Sequence, residues 1–166
     1  MNIVLIGVMG AGKTSIGRAV ANERGMEFVD MDQYLETYFN RSIDDFFQEG
    51  ESAFRDAETI IAKHLAERDD LVISTGGGVV LRPENMEALR QNGIVIFLDR
   101  DLGEIIEKVD HRNRPLLRDN PEKLYEIMEK RRPLYEKYAH ITVKNQQPLD
   151  ETTALLLEEL EAWGKI

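Results

Sequence analysis

The chain opens on an unbroken aliphatic run, Asn2 to Ile6, that stops at Gly7. A run apolar at successive positions predicts a strand covered on both faces, as in a parallel sheet. The pattern then changes period. From Lys13 to Arg24 the apolar positions Ile16, Ala19 and Val20 fall on one helical face, and Gly25 closes the helix. Glu27 to Asp30 predicts a second short strand and Met31 to about Phe39 a second helix. Ser42, followed by Asp44 and Asp45, has the form of an N-cap with an acidic first turn, opening a short helix that stops at Gly50. Glu51 to Glu67 predicts a longer helix with Phe54, Ile61 and Leu65 inward.

The alternation persists to the end of the chain. Leu71 to Ser74 predicts the third strand, which breaks at Gly76-Gly77-Gly78, and Pro83 opens the next helix in its first turn. Gly93 to Leu98 is the fourth predicted strand, Asp101 to Val109 a helix, and Asp110 to Asn120 a charged loop. A long helix runs from Pro121 to about Tyr138, a weak fifth strand from Ile141 to Val143, and a final helix from Leu149 to Trp163. Strand and helix in regular turn predict an α/β fold with a parallel sheet covered on both faces. Neither a repeat nor a linker interrupts it, so residues 1–166 read as one domain. Such sheets hold ligands beyond the C-terminal ends of their strands. Gly7, Asp30 and Gly76 mark three of those ends.

Composition narrows the chemistry. The chain has no cysteine, which excludes disulfides and thiolate metal sites, and its three histidines are too scattered for a zinc site. Lys and Arg total 21 against 31 Asp and Glu, a net charge of −10 that disfavours nucleic acid and anionic membranes as partners. The N-terminus carries no export signal, and no apolar stretch approaches the roughly 20 residues of a membrane span. The cytoplasm is the expected location. Eight basic residues nevertheless gather between Arg112 and Lys137. They form either a solvated helix face or a positive patch toward an anionic ligand.

Gly7-Val8-Met9-Gly10-Ala11-Gly12-Lys13-Thr14 matches G-x-x-x-x-G-K-[ST], between a strand and a helix. Its glycines let the backbone curl until several N–H groups point at phosphate oxygens, and the helix adds its positive end. Lys13 supplies a cation to the β- and γ-phosphates, and the Thr14 hydroxyl can ligate Mg²⁺. A dinucleotide fold would need G-x-G-x-x-G, but Gly10-Ala11-Gly12 is followed by Lys13-Thr14-Ser15. A GTPase would need an Asn-Lys-x-Asp element, and Lys144-Asn145 runs in the opposite order. A small-molecule kinase fits the length.

Further motifs are narrower. Asp30-Met31-Asp32 ends the second strand; Gly50-Glu51-Ser52-Ala53-Phe54-Arg55-Asp56-Ala57-Glu58 reads G-E-x-x-F-R-x-x-E; Gly76-Gly77-Gly78 ends the third strand. Arg114-Pro115-Leu116-Leu117 lies in the charged loop, and Arg131-Arg132-Pro133-Leu134-Tyr135 in the helix after it. In this order and over nearly the whole chain, the set resembles the shikimate kinase family.

The resemblance implies a three-layer P-loop NTPase fold with a five-stranded parallel sheet, substrate-binding helices at about 31–67 and a lid loop at about 110–120. It implies transfer of the ATP γ-phosphoryl group to the 3-hydroxyl of shikimate, with Mg²⁺ as cofactor, ATP as co-substrate and a monomeric enzyme. Residue by residue, it implies catalytic roles for Lys13, Asp32 and Arg114, with Asp32 orienting the attacking hydroxyl and accepting its proton. ATP would be held by Gly10, Ala11, Gly12, Lys13, Thr14, Ser15, Arg114 and Gln147. The metal would be held by Thr14 and, through water, by Asp30 and Ser74. The substrate would be held by Asp32, Arg55, Gly77, Gly78 and Arg131, the two arginines matching its carboxylate with a planar fork. Arg132 and Arg112 are the rivals to Arg131 and Arg114. An ordinary role exists beside each functional one: Arg55 can pair with Glu51 or Glu58, and Asp30 or Asp32 can cap a helix. Where family members carry an adenine-stacking arginine before the lid, this chain has Glu104-Ile105-Ile106-Glu107-Lys108.

Overall fold

The computed structural model describes residues 1–108 and 122–164. Five strands form one parallel sheet: β1 (Asn2–Ile6), β2 (Glu27–Asp30), β3 (Leu71–Ser74), β4 (Gly93–Asp99) and β5 (Ile141–Lys144). Their order across the sheet is β2-β3-β1-β4-β5. Each strand's burial follows its place. Central β1 is buried at all five residues, whereas edge strand β5 alternates buried and exposed. The helices among the described residues are α1 (Lys13–Arg24), α2 (Met31–Phe39), α3 (Ile43–Glu49), α4 (Glu51–Ala66), α5 (Pro83–Gln91), α6 (Leu102–Lys108), α7 (Glu122–Tyr138) and α8 (Leu149–Trp163). They flank the sheet, with α1 packed on α8 and α4 on α5.

The elements agree with the pattern of apolar positions, with small shifts at their ends. β4 runs one residue further than expected and β5 gains Lys144, because Asp99 and Lys144 pair across the two strands. α4 ends at Ala66, one residue early. A 3₁₀ turn at Val79–Leu81, which apolar spacing did not announce, follows the glycine run and buries Val79 and Val80. Ser42 caps α3 through its side chain, as expected. The end of α2 is set instead by Asn40 in a left-handed conformation (φ 50). α7 keeps Pro133 within it. The lid segment, Arg114 and the rival Arg112 lie outside the described residues.

Register decides which ends meet. β1 pairs with β3 and β4, and β3 with β2, so the loops after β1, β2 and β3 open side by side. Thr75 reinforces the junction: both its N–H and its hydroxyl donate to the carbonyl of Leu5, at 3.2 and 2.7 Å.

Candidate active site

A cavity of about 460 Å³ opens at these strand ends, walled by the phosphate loop, Asp30, Asp32, Ser74 to Gly77 and Arg100. Gly10 and Gly12 take positive φ (82 and 100), which an L side chain resists, and this curls the loop. The curl is held from within and from without. The Lys13 ammonium donates to the carbonyls of Gly7 (2.6 Å) and Val8 (2.8 Å), and the Ala11 N–H donates to Val8. From outside, the amide of Asn145 donates to the Ala11 carbonyl at 2.8 Å and Arg100 to the Gly10 carbonyl at 2.9 Å. Thr14 and Ser74 bring their hydroxyls within 3.5 Å of each other.

Asp30 acts first as a cap: its Oδ1 accepts from the backbone N–H groups of Asp32 (3.0 Å) and Gln33 (3.2 Å). The same carboxylate still lines the cavity, so capping α2 and facing the phosphate loop are compatible. Asp32 stands in the first turn of α2, with its carboxylate over Gly76. Its pKa is raised above the ordinary value, first by burial and then by the charge of Asp30, while Lys13 and Arg55 oppose the rise.

The glycine run is explained by what lies on it. A Cβ on Gly76 would come within 3.0 Å of Asp32 and 3.2 Å of Glu58; on Gly77 it would face Arg131 at 3.4 Å. On Gly78 it would overlap the Arg55 guanidinium, at 2.5 Å from Nη1 and 2.6 Å from Cζ. The backbone there serves as a floor on which four charged side chains rest.

Arg55 is held by both its neighbours on α4, with Nη1 2.9 Å from Glu58 Oε1 and Nη2 3.4 Å from Glu51 Oε1. Glu58 is buried, and burial pushes its carboxyl pKa up while Arg55 counters. Arg131 and Arg132 are separated cleanly. Arg132 forks onto Asp99 (2.6 and 3.2 Å), lies over the Phe97 ring and adds a 3.4 Å contact to Glu136. Arg131 faces Gly77 and acts electrostatically on Glu58 and Tyr135. Arg132 is thus engaged by Asp99 and Glu136, whereas Arg131 is turned toward the glycine run.

Three supports had no place in the sequence expectations. The Tyr135 hydroxyl donates to the Gly77 carbonyl at 2.6 Å while its ring stacks on Phe97, and burial raises its pKa to about 12, so it stays a neutral donor. Tyr135 ends the R-x-P-L-Y motif, which was the available signal. Asn145 and Arg100 belong to no motif. Gln147 is exposed, outside the cavity wall, and its carbonyl accepts from the Thr152 hydroxyl at 3.2 Å. Ala11 is fully buried beneath the loop, whereas Gly12, Thr14 and Ser15 line the cavity. Arg55, Gly78 and Arg131 stand just beyond its wall, behind Gly76 and Gly77.

The arrangement juxtaposes an anion-binding loop and two guanidinium groups across a carboxylate. It suits a polyphosphate donor on one side and an organic acid bearing hydroxyls on the other. Known proteins carry the same pattern. A sequence profile described as shikimate kinase matches residues 9–161. The shikimate kinase of Clostridium beijerinckii is 38% identical over 163 residues, 96% of either chain. That of Thermodesulfovibrio yellowstonii is 46% identical over 140 residues, 82% of this chain and 81% of its own. Among solved structures, shikimate kinase from Acinetobacter baumannii in complex with shikimate superposes with a TM-score of 0.89 at 38% identity, over 99% of this chain and 94% of that one.

Proposed function

The chain belongs to the shikimate kinase family, and from that premise we propose that it transfers the γ-phosphoryl group of ATP to the 3-hydroxyl of shikimate, with the cavity residues dividing the work as follows. One observation carries the assignment: Arg55 and Arg131 lie against Gly78 and Gly77, beside a phosphate loop whose lysine is already in place.

Arg55 and Arg131 bind the substrate carboxylate. Each guanidinium offers paired N–H donors, and Glu58 fixes the plane of the first. The Gly77 and Gly78 backbone closes on the ring. Asp32 accepts a hydrogen bond from the attacking hydroxyl and takes its proton as the oxygen bonds to the γ-phosphorus. The bond from that phosphorus to the β–γ bridging oxygen breaks, and ADP leaves. A carboxyl pKa raised by burial makes Asp32 a better proton acceptor than an exposed aspartate. Lys13 and the loop N–H groups, including those of Gly12 and Ser15, neutralise charge on the phosphates. Arg114, which lies outside the described residues, is proposed to supply a further cation.

Mg²⁺, carried in with the nucleotide, would neutralise the phosphate oxygens. The donors here fit that ion: the Thr14 and Ser74 hydroxyls, 3.5 Å apart, and the Asp30 carboxylate line one cavity, all hard oxygen groups. Thr14 would ligate it directly, Asp30 and Ser74 through water. Gln147 is proposed to reach the adenine from the loop after β5. The enzyme is proposed to work as a monomer in the reducing cytoplasm, consistent with a chain without cysteine and with no described helix long and apolar enough to cross a membrane.

The test is ADP release by the purified protein across a panel of acceptors. Turnover with shikimate is expected. Turnover with gluconate or a nucleoside monophosphate, and none with shikimate, defeats the proposal.

A further inference from the structure

Arg100 stands directly after β4, belongs to no phosphate-binding motif, and yet forms part of the cavity wall beside the phosphate loop. Its Nη1 donates to the Gly10 carbonyl at 2.9 Å and its Nη2 to Glu104 Oε1, one turn into α6, at 3.3 Å. Its Nε is buried and has no hydrogen-bond partner among the described residues. Only 19% of the side chain is exposed. An arginine held merely for surface solubility would not be sunk between two elements in this way.

The geometry of the loop shows what this contact does. A trans peptide keeps its C=O and the following N–H in one plane, pointing in opposite directions. In the Gly10–Ala11 peptide, Arg100 holds the oxygen and the Val8 carbonyl holds the Ala11 N–H, so the plane is fixed at both ends. In the next peptide, Asn145 holds the Ala11 oxygen, which leaves the Gly12 N–H pointing the opposite way in that plane. The orientation of the loop's crest is thus imposed by two side chains from outside the motif. Of these, Arg100 carries the charge, beside a cavity that already holds the Lys13 ammonium.

We infer that Arg100 is a positioning residue for the nucleotide's phosphates: by fixing the Gly10–Ala11 peptide it holds the curl of the phosphate loop, and it adds a fixed positive charge to that side of the cavity. The inference rests on the cavity taking a nucleotide, as proposed above, and adds a residue specific to the donor half. Arg100 also joins the phosphate loop to α6 through Glu104.

Calorimetric binding of Mg-ADP, which needs no acceptor, tests it directly, together with KM values for both substrates. Arg100→Ala should weaken Mg-ADP binding and raise the KM for ATP about tenfold, equivalent to about 1.4 kcal/mol, with the KM for shikimate changed less than about twofold. Arg100→Lys keeps a cation but cannot bond Gly10 and Glu104 together, so it should recover only part of the loss. It also supplies the readout if the alanine variant fails to fold. Unchanged Mg-ADP affinity in a folded variant, or equal changes in both KM values, overturns the role of Arg100 alone. Failure of the unaltered protein to bind Mg-ADP overturns this inference and the proposed function together.

Discussion

Arg55 and Glu58, one turn apart on α4, meet at 2.9 Å, and the other carboxylate oxygen of Glu58 is buried beside Gly76 with no hydrogen-bond partner among the described residues. The pair is more than a helix-surface contact, because the glutamate is 1% exposed. Its burial is unfavourable unless the guanidinium neutralises it, and in return the guanidinium is fixed in orientation. Glu58→Gln keeps the shape and removes the charge. It should raise the KM for shikimate about tenfold while leaving the KM for ATP within about twofold, since a hydrogen bond to a charged group contributes roughly 1.5–3 kcal/mol. Steady-state kinetics with each substrate varied in turn check this. Equal effects on both substrates would refute it.

The glycine run predicts a graded series. Gly78 has φ −97 and ψ 8, which any L residue can adopt, so Gly78→Ala disturbs Arg55 rather than the backbone. Its KM for shikimate should rise most, by about tenfold or more, as expected for loss of a charge-assisted hydrogen bond. Gly77→Ala meets Arg131 at 3.4 Å and should displace the charged side chains least of the three. Gly76→Ala crowds Asp32 and Glu58 and should lower kcat as well. The melting temperatures of the three variants should stay close to that of the unaltered protein.

Adjacent arginines should behave in opposite ways. Arg131→Ala should impair shikimate binding with little loss of stability. Arg132→Ala breaks the fork onto Asp99, whose hydrogen bond raises the Arg132 pKa above its usual value, and removes a contact to Phe97. It should lower stability by up to about 1 kcal/mol, given the partial exposure of the pair, with a much smaller effect on KM. Thermal melts and kinetics on the two variants decide the matter.

Asp32 links activity to pH and to stability. Its native pKa lies above the value of 3.8 expected for the unfolded chain. Such a group favours folding fully below the unfolded value, and that contribution is lost as pH rises through the native value. At neutral pH the ionised carboxylate is therefore slightly destabilising. Asp32→Asn should raise the melting temperature at neutral pH while lowering kcat by roughly 10²–10⁴-fold, the usual range for a lost general base. Asp30→Asn, which still caps α2, removes a charge that raises the Asp32 pKa. In the nucleotide-free protein, carboxyl NMR should then show the Asp32 midpoint moving to lower pH. A midpoint that stays put would mean burial alone sets it.

Much of this was legible in the residues themselves. Apolar runs located β1, β3 and β4, because central strands need apolar residues on both faces, whereas the edge strands β2 and β5 showed only short or weak signals; Gly25 and Ser42 marked helix ends through backbone geometry and capping. The strand-to-helix placement of the loop of Gly7 to Thr14 followed from its motif, and the pairing of Arg55 with Glu51 and Glu58 from helical spacing. What stayed hidden depends on contacts across long separations. Arg100 reaches back 90 positions to Gly10, and Asn145 reaches 134 positions to Ala11. Neither distance leaves a trace in local spacing. The double duty of Asp30, cap and cavity wall, was open in the sequence because both roles ask for the same carboxylate. The pairing of Arg132 with Asp99, 33 positions away, was likewise invisible in local spacing.

The order of the sheet has a consequence for how such an enzyme can change. The groups proposed to grip the donor lie mainly on the loops after β1, β4 and β5, while those proposed to grip the acceptor lie on α2, α4, α7 and the loop after β3. The two sets share a boundary at Gly76 and Gly77 but almost no side chains. A lineage can therefore redraw its choice of acid or alcohol by altering one half, while the half that handles phosphate is inherited intact.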